Sequence, residues 1–280
     1  MGALEPVTNS ADRVARDAIE RHAHERWGAN VGVALPAELA QEVPIAFEYN
    51  GISHAVMLAT PADLEDFALG FSFSEGIADP AQLRGVDVHE SADGITLAIE
   101  IAAEAFASLK ARRRTLAGRT GCGICGTESL AQVLRPLPDL SAVALRVPAA
   151  ALARAHEGLA AVQPLQRATG AAHVAVWCDC EGAIVLARED VGRHNALDKL
   201  IGALARVRID PGAGFALVTS RASVEMVQKS ATAGIALLAA VSAPTALAVR
   251  TAQSCGQTLI GFARGAEFNV YTRPDRLAAR

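Results

Sequence analysis

No apolar run in the 280 residues reaches the ~18–20 positions that a membrane-spanning helix needs. Met1 to Asp17 holds no apolar core of the signal-peptide kind. A cytoplasmic location, away from membranes, is the resulting expectation. A basic excess is also missing. Lys and Arg number 26 against 30 Asp and Glu, for a net charge of -4, so there is no electrostatic case for duplex nucleic acid as the main partner. Neither a Walker A motif nor a GxGxxG turn occurs, and no repeat recurs at a fixed period. Five cysteines are an odd count, and a reducing compartment disfavours structural disulfides.

What is present suffices for a substantial core. Hydrophobic residues make up 51% and charged residues 20%, within globular range for one large or two smaller domains. Residues 1–40 show only a weak helical stripe (Val14, Ala15, Ile19, Ala23) and read as a variable lead-in. From Val43 to Ala59 two strands meet at Asn50-Gly51, a pair that supplies the positive φ of a tight hairpin. Thr60 and Pro61 suit the N-cap and first position of a helix, Asp63 suits a capping-box acid, and Gly76 suits its stop. A second hairpin is expected over 84–101, turning at Ala92-Asp93-Gly94.

Farther on, Thr127 to Leu134 suits a short helix ended by Pro136 and Pro138. Helices are expected after Pro148, over Arg193–Ala205, over Val224–Ala233 and after Pro244. Strands are expected at 172–178, 183–188, 215–219, 258–262 and 268–271. Ile235–Val241 fits either a strand or a buried helix. Such alternation predicts an α/β sandwich with a mixed sheet. The organisation read from this is a 1–40 lead-in, a 41–111 subdomain, a mobile 112–126 loop and a 127–280 subdomain.

The densest chemistry lies in Arg112–Gly126, where Cys122 and Cys125 form a CxxC between glycines. Lys110, Arg112, Arg113, Arg114 and Arg119 precede them, with no carboxylate between Glu104 and Glu128. Nearby positive charge raises the thiolate fraction of a cysteine. The pair suits a dithiol redox centre, half of a zinc site, or a sulfur carrier. A structural zinc needs two further ligands, and Cys178-Asp179-Cys180 is the obvious source, although its strand-end spacing fits a plain thiol pair better. Cys255 reads as a packed thiol. A zinc deaminase is excluded, since no histidine is followed two places on by glutamate and Gly121 stands where proline precedes the CxxC.

Three polar stretches leave apolar strands. Glu189–Leu200 places Arg193 and His194 at a strand-to-helix junction, which suits an anion or merely a solvated helix start. Thr219–Lys229 offers Ser220 and Ser223 as caps or ligand contacts. Phe262-Ala263-Arg264-Gly265-Ala266-Glu267 reads as a turn, or as a ligand-edge loop with a stacking ring and a cation.

Taken together, 59–77, 119–130, 189–202, 220–230, 241–249 and 258–272 resemble, in order, the formate dehydrogenase accessory sulfurtransferase family (FdhD). The resemblance covers residues 43–272. It implies a cytidine-deaminase-like α/β fold without the deaminase zinc, with no tightly bound metal of its own, and a homodimer. It also implies sulfur transfer from a cysteine desulfurase to the molybdenum bis-molybdopterin guanine dinucleotide cofactor, as formate dehydrogenase activity requires. The persulfide cysteine maps onto Cys122 with Cys125 as its partner, and cofactor binding maps onto Phe262–Glu267, with His194 and Ser220 as further candidates. Glu267 departs from the basic residue often found there, which weakens that loop's contacts. Cys178-x-Cys180 has no counterpart in the resemblance.

Overall fold

The structure, a computed structural model, describes residues 18–26, 33–117 and 136–278. Cys122, Cys125 and the 127–134 helix lie outside the described residues. The described residues open on a two-stranded antiparallel sheet, β1 (Ile19–Arg26) and β2 (Val33–Ala40). This corrects the helical stripe read across Ile19 and Ala23. A spacing of four between two small apolar residues does not separate helix from strand when neither is buried in a core, and most described residues of β1 are exposed.

A four-stranded sheet follows in the order β4-β3-β6-β5: β3 (Val43–Tyr49), β4 (Ile52–Ala59), β5 (Leu83–Ser91) and β6 (Gly94–Ile101). Asn50 (φ 47) and Gly51 (φ 80) make the expected turn, with Tyr49 opposite Ile52. Strand alternation sends Ile45, Phe47 and Tyr49 to one face, all at 0% exposure. Helix α1 (Leu64–Ser74) covers that face, its Phe67 and Phe71 rings lying 5.0 and 4.3 Å from Phe47. Helix α2 (Ala103–Ala117) adds Ala105 and Leu109 to the same core. Because α2 runs to Ala117, residues 112–117 are helical, and the loop boundary expected at 112 falls inside a helix.

The larger subdomain is a six-stranded mixed sheet in the order β13-β12-β11-β10-β8-β9. A two-residue strand, β7 (Val147–Pro148), precedes helix α3 (Ala149–Gly158). The short α4 (Pro164–Thr169), which sequence reasoning missed, leads into β8 (His173–Asp179) and β9 (Ile184–Asp190). Then come α5 (Arg193–Val207), β10 (Gly214–Val218), α6 (Val224–Thr232), β11 (Leu237–Ala240) and α7 (Ala246–Ser254). The chain returns through β12 (Thr258–Arg264) and β13 (Glu267–Thr272), and β14 (Leu277–Ala278) pairs with β7.

Strands β10, β11 and β12 are parallel, and every residue of β10 and β11 is buried. That double-sided burial explains why 235–241 had no alternation to read. One sheet face packs Trp177, Val218 and Leu238 against Leu197, Leu200 and Met226 of α5 and α6. The other packs Val176, Phe215 and Leu217 against Leu152 and Ala155 of α3. The α/β class with a mixed sheet and a smaller N-terminal subdomain is therefore as expected from the sequence.

The two subdomains meet where α1 crosses α5. A Cβ on Gly70 would lie 1.7 Å from the Asp198 carbonyl oxygen, and one on Gly202 would lie 1.9 Å from that of Asp66. Only glycine at both positions lets the two backbones approach so closely.

Candidate functional site

Much of the polar run after β9 faces inward. Asp190 and Lys199 are both at 0% exposure, with Lys199 Nζ 2.6 Å from Asp190 Oδ2. Lys199 also donates to the Thr60 carbonyl at 2.9 Å. The Thr60 N–H donates to Asp190 Oδ2 at 3.1 Å, and Asn195 Nδ2 bridges Asp190 Oδ1 and the Leu58 carbonyl. Thr60 is thus a clasp between subdomains rather than the N-cap expected of it. The cap position of α1 is Asp63, in a left-handed conformation with no capping bond.

A second buried set joins Lys229 of α6 to Asp198 of α5 (2.8 Å) and to Glu75 (2.5 Å) after α1. Ser74 also donates to Asp198 at 2.5 Å. Burial pulls the Lys229 ammonium down, but Asp198 and Glu75 outweigh it and hold its pKa above the ordinary lysine range. A third carboxylate, Asp66 at 1% exposure, is held by Arg188 at 2.7 Å and Arg206 at 2.8 Å. Buried charges need such complete pairing. Neither reading of the 189–200 stretch, anion site or solvated face, covers these residues.

Arg193 and His194 differ. They occupy the first turn of α5, which starts just beyond the carboxyl end of β9. Strands β9, β10, β11 and β12 all end at this edge of the sheet. Helices α5, α6 and α7 begin there, so three positive dipole ends line it, although Thr245 Oγ1 already accepts from the Ala248 N–H of α7.

The intervening loops are stitched side by side. Ala222 N–H donates to Ala243 O at 3.2 Å, Thr245 N–H to Ala222 O at 3.0 Å, and Phe262 N–H to Ser242 O at 3.2 Å. His194 Nε2 lies 3.9 Å from Glu225 Oε2, linking the first turns of α5 and α6. Burial, reinforced by the Arg193 guanidinium, pulls His194 down to about 4, so at neutral pH it is an uncharged imidazole. His173, at the adjoining start of β8, is lowered in the same way by burial and by Arg193. Arg193 Nε and His194 Nε2 are shielded from solvent and have no hydrogen-bond partner.

The 262–267 segment reaches the same edge. Phe262 is a non-glycine residue at φ 55, at a register shift between Gly261 and Arg264. That conformation turns its ring outward, at 40% exposure. Arg264 Nε donates to Val241 O at 3.0 Å. Gly265 (φ 61) and Ala266 form the turn, and Glu267 pairs with Arg264 across it. Ala263 points the other way, into the core.

The structure therefore brings His194, Phe262 and Arg264 to one edge. Ser220 is also there, but it is 5% exposed and its hydroxyl donates to the Arg221 carbonyl, so its side chain faces the protein. Glu225, which lies against His194, was not singled out from the sequence. Its signal was present: an acid two places after an N-cap serine, at the end of an apolar strand.

Cys178 and Cys180 lie at the end of β8 away from this edge. Cys178 is at 0% exposure in the core, and burial pushes its thiol up to about 12. Cys180 is raised by burial and by Asp179 and Glu181, and its S–H points at the Ala213 carbonyl. Among the described residues no helix is long and apolar enough to cross a membrane.

An edge with three helix starts, an arginine, a neutral imidazole and an outward aromatic ring suits an anionic ligand bearing a flat ring system. The model of the FdhD/NarQ family matches residues 40–278. The chain belongs to the FdhD/NarQ family. It is 60% identical over 240 residues to the sulfur carrier protein FdhD of Xanthomonas campestris pv. campestris, covering 85% of each chain. It is 55% identical over 255 residues to the protein of the same name from Bordetella petrii, covering 90% of this chain and 91% of that one. A crystal structure described as a formate dehydrogenase accessory protein from Desulfotalea psychrophila superposes with a TM-score of 0.73 at 22% identity, covering 93% of this chain and all of the other. That likeness supports the fold.

Proposed function

We propose that this chain is a sulfur carrier with sulfurtransferase activity, acting in the cytoplasm as a homodimer. It takes sulfur from a cysteine desulfurase and passes it to the molybdenum bis-molybdopterin guanine dinucleotide cofactor destined for formate dehydrogenase. The observation that carries the reading is similarity at 54–60% identity, over most of the chain, to proteins named sulfur carrier protein FdhD. In the first step the Cys122 thiolate attacks the outer sulfur of the donor persulfide. The donor S–S bond breaks, the donor cysteine leaves as a thiolate, and Cys122 holds the persulfide, with no net oxidation. Cys125 is the second thiol of the pair. The cofactor is acceptor and substrate. Its nucleotide ends are negatively charged and planar, which suits the helix starts, Arg193, His194 and the Phe262–Glu267 segment.

Mass spectrometry after incubation with desulfurase and cysteine tests the first step. The wild type should gain the mass of one sulfur atom, lost again on reduction, and Cys122→Ala should not. Sulfur retained by Cys122→Ala but lost from Cys125→Ala would exchange their roles. Retention by the double variant would end the sulfur-carrier reading.

A further inference from the structure

We infer that the outer side of α2, with the groove it makes against β5 and the β3–β4 turn, is the docking surface for the sulfur-donating protein, which meets it with an acidic face. The inference rests on the proposed function for the existence of a donor. The surface itself belongs to the smaller subdomain alone, and none of its residues lies on the carboxyl edge of the larger sheet.

The groove has a volume of about 690 Å³. Its wall is fixed before anything binds. The Asn50 side chain donates to the Ile101 carbonyl at 3.0 Å and accepts from the Ile101 N–H at 2.8 Å, which ties the β3–β4 turn to the end of β6. Phe106 is only partly covered by the core, and the Lys110 ammonium stands 4.6 Å from the centre of its ring. Aromatic rings of this kind are enriched at protein interfaces. Arg84 of β5 also lines the groove and is exposed. Among the described residues neither Arg84 nor Lys110 is paired with a carboxylate.

Glu100 and Glu104 line the groove as well, so on its own it is balanced in charge. The continuation of α2 tips the surface positive. Arg112, Arg113 and Arg114 follow Lys110 in the same helix, and no carboxylate occurs between Glu104 and Glu128. Basic residues towards a helix C-terminus do suit the dipole. Crowding four of them into 110–114, however, sets Lys110 against Arg113 and Arg114, three and four positions on. Like charges at those spacings destabilise a helix, so the cluster is better explained by a partner outside it.

Chain connectivity names the occupant. Cys122 is five positions beyond the end of α2 at Ala117, and five residues reach at most about 18 Å. A protein that delivers sulfur to Cys122 must bring its own cysteine within that distance of the helix end, so its surface meets the helix. A cationic patch there draws in a donor with acidic side chains around its cysteine, where the net charge of -4 on the whole chain would oppose the approach.

Binding and sulfur uptake with two donors test this: a cysteine desulfurase supplied with cysteine, and glutathione persulfide, which is too small to use a docking surface. Both hand over the outer sulfur in the same way, the donor S–S bond breaking and the donor thiolate leaving. The variant Arg84→Glu/Lys110→Glu should bind the desulfurase on the order of 10-fold more weakly at low salt and take up its sulfur correspondingly more slowly, while uptake from glutathione persulfide stays within about twofold of wild type. The difference in binding should vanish in ~1 M salt, where charges are screened beyond about 3 Å. Retained uptake from the small donor shows that the variant is folded. Arg154→Glu, a charge reversal on the larger subdomain, should behave as wild type with both donors, and equal weakening by it would reduce the effect to overall charge and overturn the surface. Wild-type binding by Arg84→Glu/Lys110→Glu, or equal slowing with both donors, would also overturn the docking surface and leave the sulfur-carrier reading standing. Loss of a dimer in that variant with desulfurase binding intact would give the face to a second copy instead. A wild type that takes sulfur from neither donor would overturn the sulfur-carrier reading, and this inference with it.

Discussion

Asp190→Asn is the most informative single substitution, because it changes charge without changing size at the junction of the subdomains. Asp190 Oδ1 accepts from the Gly192 N–H at 2.8 Å and from Asn195 Nδ2 at 3.0 Å. Oδ2 accepts from the Thr60 N–H at 3.1 Å and from Lys199 Nζ at 2.6 Å. Whichever way an asparagine amide is turned, its NH2 group faces two donors. In either orientation the Lys199 ammonium stays at 0% exposure with no carboxylate to neutralise it. Breaking a buried pair in this way costs about 3–5 kcal/mol, or a melting point lower by roughly 6–20 °C at 2–4 °C per kcal/mol.

Lys199→Met should cost less, about 2–3 kcal/mol, because Asp190 keeps three N–H donors. The double variant should fall short of the sum by at least about 1 kcal/mol, since the two residues share one set of bonds. Urea denaturation of the four proteins measures all three quantities. Costs that add, or an Asp190→Asn variant within about 1 kcal/mol of wild type, would mean that the subdomains are not clasped by this pair.

Two further predictions concern the same region. Alanine at Gly70 or Gly202 should each destabilise by about 3 kcal/mol or more through overpacking at the α1–α5 crossing. Gly85→Ala, where an added Cβ meets nothing within 4 Å, should be near neutral, and equal melting points for all three would refute the close crossing. Stability should also fall in acid through His194. Its native pKa of about 4 lies below the ordinary 6.5, so between those values the unfolded chain binds more protons than the native one. Stability is therefore unaffected above pH 6.5 and declines as pH drops towards 4. Discounted for the 29% exposure of the side chain, the loss is roughly 1–2 kcal/mol. His194→Gln should be less sensitive between pH 7.5 and 5 by that amount in urea titrations, and identical pH slopes would sink the argument.

Local chemistry made much of this fold legible. Asn50-Gly51 turned where an Asn-Gly pair should, Gly76 took its left-handed stop at φ 61, and the helices after Pro148, Gly192, Ser223 and Pro244 began where strands gave way to helical spacing. What failed depended on distant partners. The β1–β2 sheet carries little burial, so it left no alternation to find. Residues 112–117 looked aperiodic because arginine was read for its charge and not for its helix propensity. The 189–200 run was weighed between two outward roles, yet Asp190, Asp198 and Lys199 point inward to Thr60, Ser74 and Lys229, and sequence spacing cannot name a partner about 130 residues away. The edge itself was legible in outline, since His194 follows the carboxyl end of one strand and Phe262–Glu267 that of another in the same sheet. The Ser220 side chain turns to the Arg221 carbonyl, since a serine hydroxyl is satisfied as readily by nearby backbone as by a ligand.

Phe262 bears on how such a protein responds to selection. A phenylalanine in the left-handed region carries a backbone cost of about 1–2 kcal/mol, which glycine would not. The molecule retains this strain to hold an aromatic ring in solvent, where the ring contributes little to folding. A directed search for thermostable variants, blind to activity, should therefore enrich glycine or asparagine at this position and erase the outward ring in the process. On the proposed function, stability and ligand capture pull in opposite directions at residue 262, and the native sequence favours capture.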